Sequence, residues 1–262
     1  MKITLLDQTV HDKEVLLNHM HDQEFYYGYL GKNALSSSSV GYLLQSPKVY
    51  SGLTRNFVES DSTALQVGQF IHTMVLEPHT FSDRYEVVEV QSRVAKAFKE
   101  TRDASSKTVI TRREYDDNMR IVDATLRNEH VLTMIADCEF EVPEIAMVEG
   151  YPFRAKADIL DLPNLFMADL KTTREVRGFS HSAERYNYDV QAWLYTHIFG
   201  IPQSNFKFIV IDKESLDVGI FDVSPTFLNK GYKKVKDAIG RYETFFKNGE
   251  SLDNYTLRGI LE

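Results

Sequence analysis

The sequence predicts an α/β protein with a mixed central β-sheet flanked by helices. Two observations carry that reading. Hydrophobic periodicity runs from helical to strand-like, back to helical, then through two more strands to a closing helix, the order of an α/β sandwich. The middle of that order holds a hairpin, Tyr151 to Thr173, whose second strand reads Leu-Phe-Met-Ala-Asp-Leu-Lys-Thr-Thr, apolar but for Asp169 and Lys171.

Residues 1–34 are polar and carry His11, His19 and His21 ahead of the aromatic run Phe25 to Tyr29. No ligand spacing repeats among those histidines, so they read as a surface entry segment, an N-terminal extension to one domain spanning 35–262. Ser36 and Ser38 suit the cap of a helix that ends at Ser46-Pro47, because Pro disfavours helical geometry in the residue before it. A second helix covers Ala64 to Leu76 and stops before Pro78. Residues 91–136 read as two amphipathic helices around a turn at Ala104 to Lys107. Strands follow from about Glu141. The hairpin turns at Asp161-Leu-Pro-Asn164, where Pro fixes φ and Asn tolerates left-handed backbone. From Ala183 to Phe199 the period is again helical, with Tyr188, Gln191, Tyr195 and Ile198 on one face. Asn205 to Ile211 and Val218 to Val223 are strands, and Pro225 to Phe246 is the last helix.

Composition bounds the function. The 262 residues are 43% hydrophobic and 12% aromatic, enough to bury a sizeable core. No apolar run approaches the length of a membrane span, and the N-terminus lacks the apolar stretch of a signal peptide, so a cytoplasmic protein is expected. A lone cysteine, Cys138, excludes an internal disulfide and a cysteine-built metal cluster within one chain. The net charge of −8 hides an uneven distribution. Gln91 to Arg113 holds seven cations, among them Arg93, Lys96, Lys99 and Arg102, against two acids; Leu228 to Asn248 holds six against two. The first stretch is a candidate DNA contact, and equally a solvated helix face.

The charged residues of the hairpin carry the chemistry. Asp169 and Lys171 are two apart, so a strand points both to one face, and Asp158 stands on the preceding strand. Charges inside an apolar strand are costly unless paired or bound to metal. Two carboxylates and an ammonium at one place suit Mg²⁺ and an activated water, although a structural Asp169–Lys171 ion pair fits the same residues. Four further features line up with them. Glu144 opens the strand before the hairpin, with Glu141 a close competitor. His72 follows Gly68 by one helical turn, as a metal ligand or as a core histidine. Gln191 and Tyr195 lie one turn apart. Ser36 and Ser38, with Ser46 and Tyr50, offer hydroxyls and amides to a terminal phosphate.

In this order and spacing, Gly-x-x-x-His, Asp, Asp-x-Lys-Thr-Thr and Gln-x-x-x-Tyr resemble the PD-(D/E)XK nuclease superfamily. Within its RecB-like branch the likeness is to phage and prophage exonuclease VIII (RecE-type) proteins, from about Leu35 to about Phe199. The resemblance implies that Asp158 and Asp169 bind Mg²⁺, with Mn²⁺ as substitute, and that Lys171 orients or deprotonates the water. It implies that His72 and Glu144 complete the metal shell and that Gln191 and Tyr195 support the site. Ala157 replaces the Pro common before the first motif Asp, a variable position. The implied activity is 5′→3′ digestion of linear double-stranded DNA ends, leaving 3′ single strands. The implied partners are a RecT-like single-strand annealing protein and further copies of this chain in a ring-like homo-oligomer. A PD-(D/E)XK endonuclease of repair or restriction, or a catalytically silent DNA-binding protein, are the competing expectations. A small-molecule hydrolase lacks its motif, since the chain has no Gly-x-Ser-x-Gly and no phosphate-binding Gly-rich loop.

Overall fold

The chain is described from a computed structural model over residues 1–55 and 63–257. It opens with an antiparallel pair, β1 (Lys2–Thr4) and β2 (Val10–Asp12), then α1 (Lys13–His19), a π-helical turn (Glu24–Tyr29) and α2 (Leu30–Asn33). Next come α3 (Ser37–Gln45), α4 (Pro47–Arg55), α5 (Thr63–Leu76) and α6 (Phe81–Arg84). A parallel pair, β3 (Tyr85–Val88) and β4 (Thr108–Thr111), brackets α7 (Lys96–Ala104), and α8 (Arg112–Leu126) and α9 (Glu129–Ile135) follow. The main sheet is built from β5 (Glu139–Val148), β6 (Tyr151–Asp161) and β7 (Phe166–Thr173), then, after α10 (Phe179–Arg185) and α11 (Tyr188–Phe199), β8 (Phe206–Asp212) and β9 (Val218–Asp222). Helix α12 (Pro225–Tyr242) closes the chain.

The five strands lie in the order β5-β6-β7-β8-β9. All neighbours are antiparallel except β7 and β8, whose parallel pairing is made possible by the crossover through α10 and α11. The sheet is therefore mixed, as the sequence predicts. Period-2 alternation sorts its side chains into two cores. Met167, Phe206, Phe208 and Val210 join Val40, Leu43, Val190, Leu194 and Val235 of α3, α11 and α12 on one face. Ala168, Leu170, Ile209 and Ile211 join Phe70, Ile71, Ile121, Val122 and Val131 of α5, α8 and α9 on the other. A smaller core seats the first 34 residues on β5, with Ile3, Leu16, Met20, Tyr26 and Leu30 around Ile145. No described helix is long and apolar enough to cross a membrane.

Three local expectations need correction. The stretch 91–136 holds three helices and a strand: directly after the turn at 104–107, Thr108-Val-Ile-Thr111 is β-branched and mostly buried, and pairs with β3. The helix over 183–199 is broken at Asn187, which adopts φ 56° and starts α11 afresh. In the β6–β7 turn the left-handed residue is Leu165 (φ 53°), while Asn164 donates from its amide to Asp161.

Candidate metal centre

Two strand connections set the site. The β5–β6 turn is Glu149-Gly150 with φ of 49° and 82°, the positive pair that a tight two-residue hairpin requires. Counting back from Val148↔Tyr151, the register brings Glu141 opposite Asp158, between the pairs Phe140↔Ile159 and Val142↔Ala157. On the other side of β6 the ladder with β7 ends at Ile159↔Ala168. Beyond that point side chains replace it. Asp158 Oδ2 accepts from the Leu170 amide at 2.9 Å, and the Leu170 carbonyl takes His72 Nε2 at 2.7 Å. The strands part where the acidic residues stand, and the backbone groups this frees are satisfied by the site itself.

A histidine that donates from Nε2 to a carbonyl keeps its Nδ1 lone pair free while it is neutral. Burial, followed by the Lys171 charge, lowers the His72 pKa and favours that neutral form. His72 Nδ1 faces Asp158 Oδ2 at 3.7 Å. Ligand atoms of His72, Glu141 and Asp158 all lie within 4.8 Å of one another. Asp169 is fully buried against this trio. Burial raises its carboxyl to about 7, helped by the Asp158 charge, and burial raises Asp158 to about 6. Gln191, projecting from α11, donates its amide to Asp169 Oδ1, and the Lys171 ammonium sits against Oδ2, which accepts no well-aligned hydrogen bond.

Those observations test whether a divalent cation fits. Two carboxyls pushed toward the neutral form and an imidazole with its lone pair turned inward are what a cation would relieve. The donor set is carboxylate oxygen with one imidazole nitrogen, which suits Mg²⁺ and suits Mn²⁺ at least as well. His72, Glu141 and Asp158 would hold the ion, with Asp169 beside them.

Lys171 is the counter-charge. Burial opposes its ammonium, yet Asp169 and Asp158 outweigh burial and raise its pKa. Its Nζ lies 4.9 Å from the centre of the Tyr188 ring, a cation–π contact that covers it. Tyr195 is buried and its hydroxyl is held well above its ordinary pKa, so it stays protonated. The helix carrying Gln191 and Tyr195 is itself fixed. The buried Asp189 at its first turn pairs with the half-buried Lys234 at 2.8 Å, and Lys234 also holds Asn187 at the break. Gly231 of α12 passes so close that a Cβ there would fall 2.0 Å from the Asp189 carbonyl oxygen.

Of the residues expected from sequence, His72, Asp158, Asp169, Lys171 and Gln191 are brought together, with Tyr195 one turn beyond Gln191. Glu144 is not. It pairs with Lys13 of α1 at 2.8 Å and stands opposite Ala155, three pairs along the strand from Asp158, so Glu141 takes the place expected of it. The signal that finds Glu141 is the count back from the Glu149-Gly150 turn. Ser36 is nearly buried and spends its hydroxyl capping α3, accepting from the Ser39 amide at 3.2 Å, whereas Ser38 is exposed. The expected DNA-contact cations are mostly neutralised: Arg93 pairs with Glu114, Lys96 with Glu100 and Arg102 with Asp103. Lys99 is exposed and forms no ion pair among the described residues.

Comparison with known proteins agrees with this architecture. The PDDEXK-like domain of unknown function (DUF3799) matches residues 36–254. A crystal structure of a provisionally named exonuclease from Eubacterium rectale is similar over 92% of this chain and 95% of its own, with TM-score 0.66 and 16% identity, a likeness of fold. A phage-related exonuclease from Haemophilus somnus 129PT covers 82% of this chain and 96% of its own at 12% identity, with TM-score 0.36. No curated protein sequence matches the chain. The matched span runs through every residue of the charged group, and the chain belongs to the PDDEXK-like domain family of unknown function (DUF3799).

Proposed function

We propose that this chain is a divalent-metal-dependent deoxyribonuclease that digests linear double-stranded DNA from its ends, 5′→3′, leaving 3′ single-stranded tails for recombination. The observation that carries the reading is the group of His72, Glu141, Asp158 and Lys171, all partly buried, around the fully buried Asp169 where β6 and β7 part. When bound, Mg²⁺ or Mn²⁺ supplies charge neutralisation at the scissile phosphate and acidifies a water. The chain's own residues do the rest. Gln191 locks the Asp169 carboxylate, and Asp169 with the Tyr188 ring fixes Lys171 as an ammonium. From there Lys171 is placed to act on the attacking water or to meet a phosphate oxygen. The exonuclease name given to the Eubacterium rectale protein of similar fold points the same way.

Polarity, the 3′ tails, a ring-like homo-oligomer around the duplex and a RecT-like annealing partner follow from the RecE-type resemblance. The test is gel analysis of linear against covalently closed circular duplex with Mg²⁺ or Mn²⁺, with and without chelator. Linear DNA alone should disappear, and a 5′-end label should leave first as mononucleotide. Cutting of closed circles makes the chain an endonuclease, and binding without metal-dependent cleavage makes it a silent DNA-binding protein.

A further inference from the structure

Arg154 of β6 is the least explained charge among the described residues. It keeps 9% of its surface, its Nε donates no hydrogen bond, and no carboxylate pairs with it among those residues. Its guanidinium lies instead over two rings of the N-terminal π-helical turn, 4.4 Å from the centre of Tyr26 and 5.6 Å from that of Tyr27. Arg154 Nη2 also approaches Gly31, where an added Cβ would stand 3.7 Å away. A buried guanidinium without an anion is costly, and cation–π contact offsets only part of that cost.

Its place on the strand says what the anion is. Arg154, Lys156 and Asp158 alternate along β6, so their side chains leave the same face. Lys156 pairs with Glu141 at 2.9 Å and lies 5.5 Å from the Tyr26 ring, which joins the metal centre to Arg154 without a gap. The two ends of the row are about 13 Å apart at the usual strand rise. A cation on the same strand face as the metal centre, planar and able to donate two parallel hydrogen bonds, matches a phosphate of the substrate strand near the one being cut. A π-helical turn is a rare element found frequently at functional sites, and here it sets adjacent tyrosines on one guanidinium.

We propose that Arg154, framed by Tyr26 and Tyr27, binds a DNA backbone phosphate near the scissile one, and that residues 1–34 thereby form part of the substrate site. This rests on the nuclease reading above. In a purely structural alternative Arg154 only fastens the N-terminal segment to the sheet.

The test is a double-mutant cycle on binding, with Ca²⁺ in place of the catalytic metal so that cleavage does not intervene. Duplexes carrying one neutral methylphosphonate at each successive position near the end are titrated by fluorescence anisotropy into wild type and Arg154→Gln. Wild type should lose roughly 10- to 100-fold in affinity at one position, the usual range for a charge-assisted hydrogen bond. Arg154→Gln should lose that much on unmodified DNA and nothing further at that position. Arg154→Lys, which keeps charge without the planar fork, should show the same position with a smaller loss and serves if the Gln variant does not fold. Independent, additive losses at every position overturn the proposal while leaving the nuclease reading intact. Failure of the wild-type chain to bind any duplex overturns both.

Discussion

Two charged regions of this molecule look alike in sequence and behave oppositely in the fold. The stretch Gln91 to Arg113 carries seven cations, yet in the structure they are mostly exposed and largely matched, as in Arg93–Glu114, Arg112–Glu89 and Arg113–Asp117. The centre at β6 and β7 has fewer charges, with Asp169 fully buried and His72, Glu141, Asp158 and Lys171 partly so, and they crowd against one another instead of falling into separate exposed pairs. Exposed ion pairs contribute little and are readily exchanged with solvent, whereas buried charges are kept at a cost. The difference teaches that burial of an imperfectly paired charge marks this site better than charge density does.

Predictions that break or sharpen the contrast run from large effects to small. Asp169→Asn or Asp158→Asn should abolish metal-dependent digestion of linear duplex, a loss beyond the roughly 100-fold that removing an outer-shell partner of a metal causes. Circular dichroism should show the fold unchanged. Lys171→Met should do nearly as much, and full activity there would show that the ammonium has no role. Glu141→Gln should lower activity roughly 10- to 100-fold and weaken Mn²⁺ binding by calorimetry. Glu144→Gln, which loses only a half-buried contact with Lys13, should change activity less than about fivefold. The reverse order for those two glutamates would return Glu144 to the metal shell.

Metal binding should also depend on pH in a stated direction. Asp169 is raised to about 7 and Asp158 to about 6, both first by burial, so protons compete with the cation as pH falls through that window. Mn²⁺ affinity should therefore drop between pH 8 and pH 6. Affinity that stays level over that range would mean the two carboxyls are already ionised without metal. The smallest effect is expected at the basic helix. Arg93→Gln and Arg102→Gln should shift DNA affinity less than about fivefold each, since both are already paired. Lys99→Gln, at the exposed cation without an ion pair among the described residues, should exceed them.

Much of the site's layout is legible in the sequence because periodicity puts its side chains on shared faces, while their role as one site comes from the family resemblance. Asp169 and Lys171 share a strand face at a spacing of two, Gly68 and His72 share a helix face, and so do Gln191 and Tyr195. Glu141 was harder, because choosing it over Glu144 needs the hairpin register, which depends on reading Glu149-Gly150 as the turn. The row Arg154, Lys156, Asp158 lay open to the same alternation, but nothing in sequence says that Tyr26 and Tyr27, more than a hundred residues earlier, come to cover it. Tertiary contacts of that kind, like the Lys234 tie on Asp189 and Asn187 that starts α11, have no local signal. The parallel pair of β3 and β4 is hard to read for a related reason, since four-residue strands between helices leave too short a pattern to identify.

The claim that matters most is that the buried group where β6 and β7 part is a divalent-metal site. Calorimetric titration of Mn²⁺ into the wild-type chain and into Asp158→Asn tests it most directly. Saturable binding in the wild type that is lost in the variant, with both folded, is the predicted result. Equal binding in the two proteins, or none in either, would contradict it.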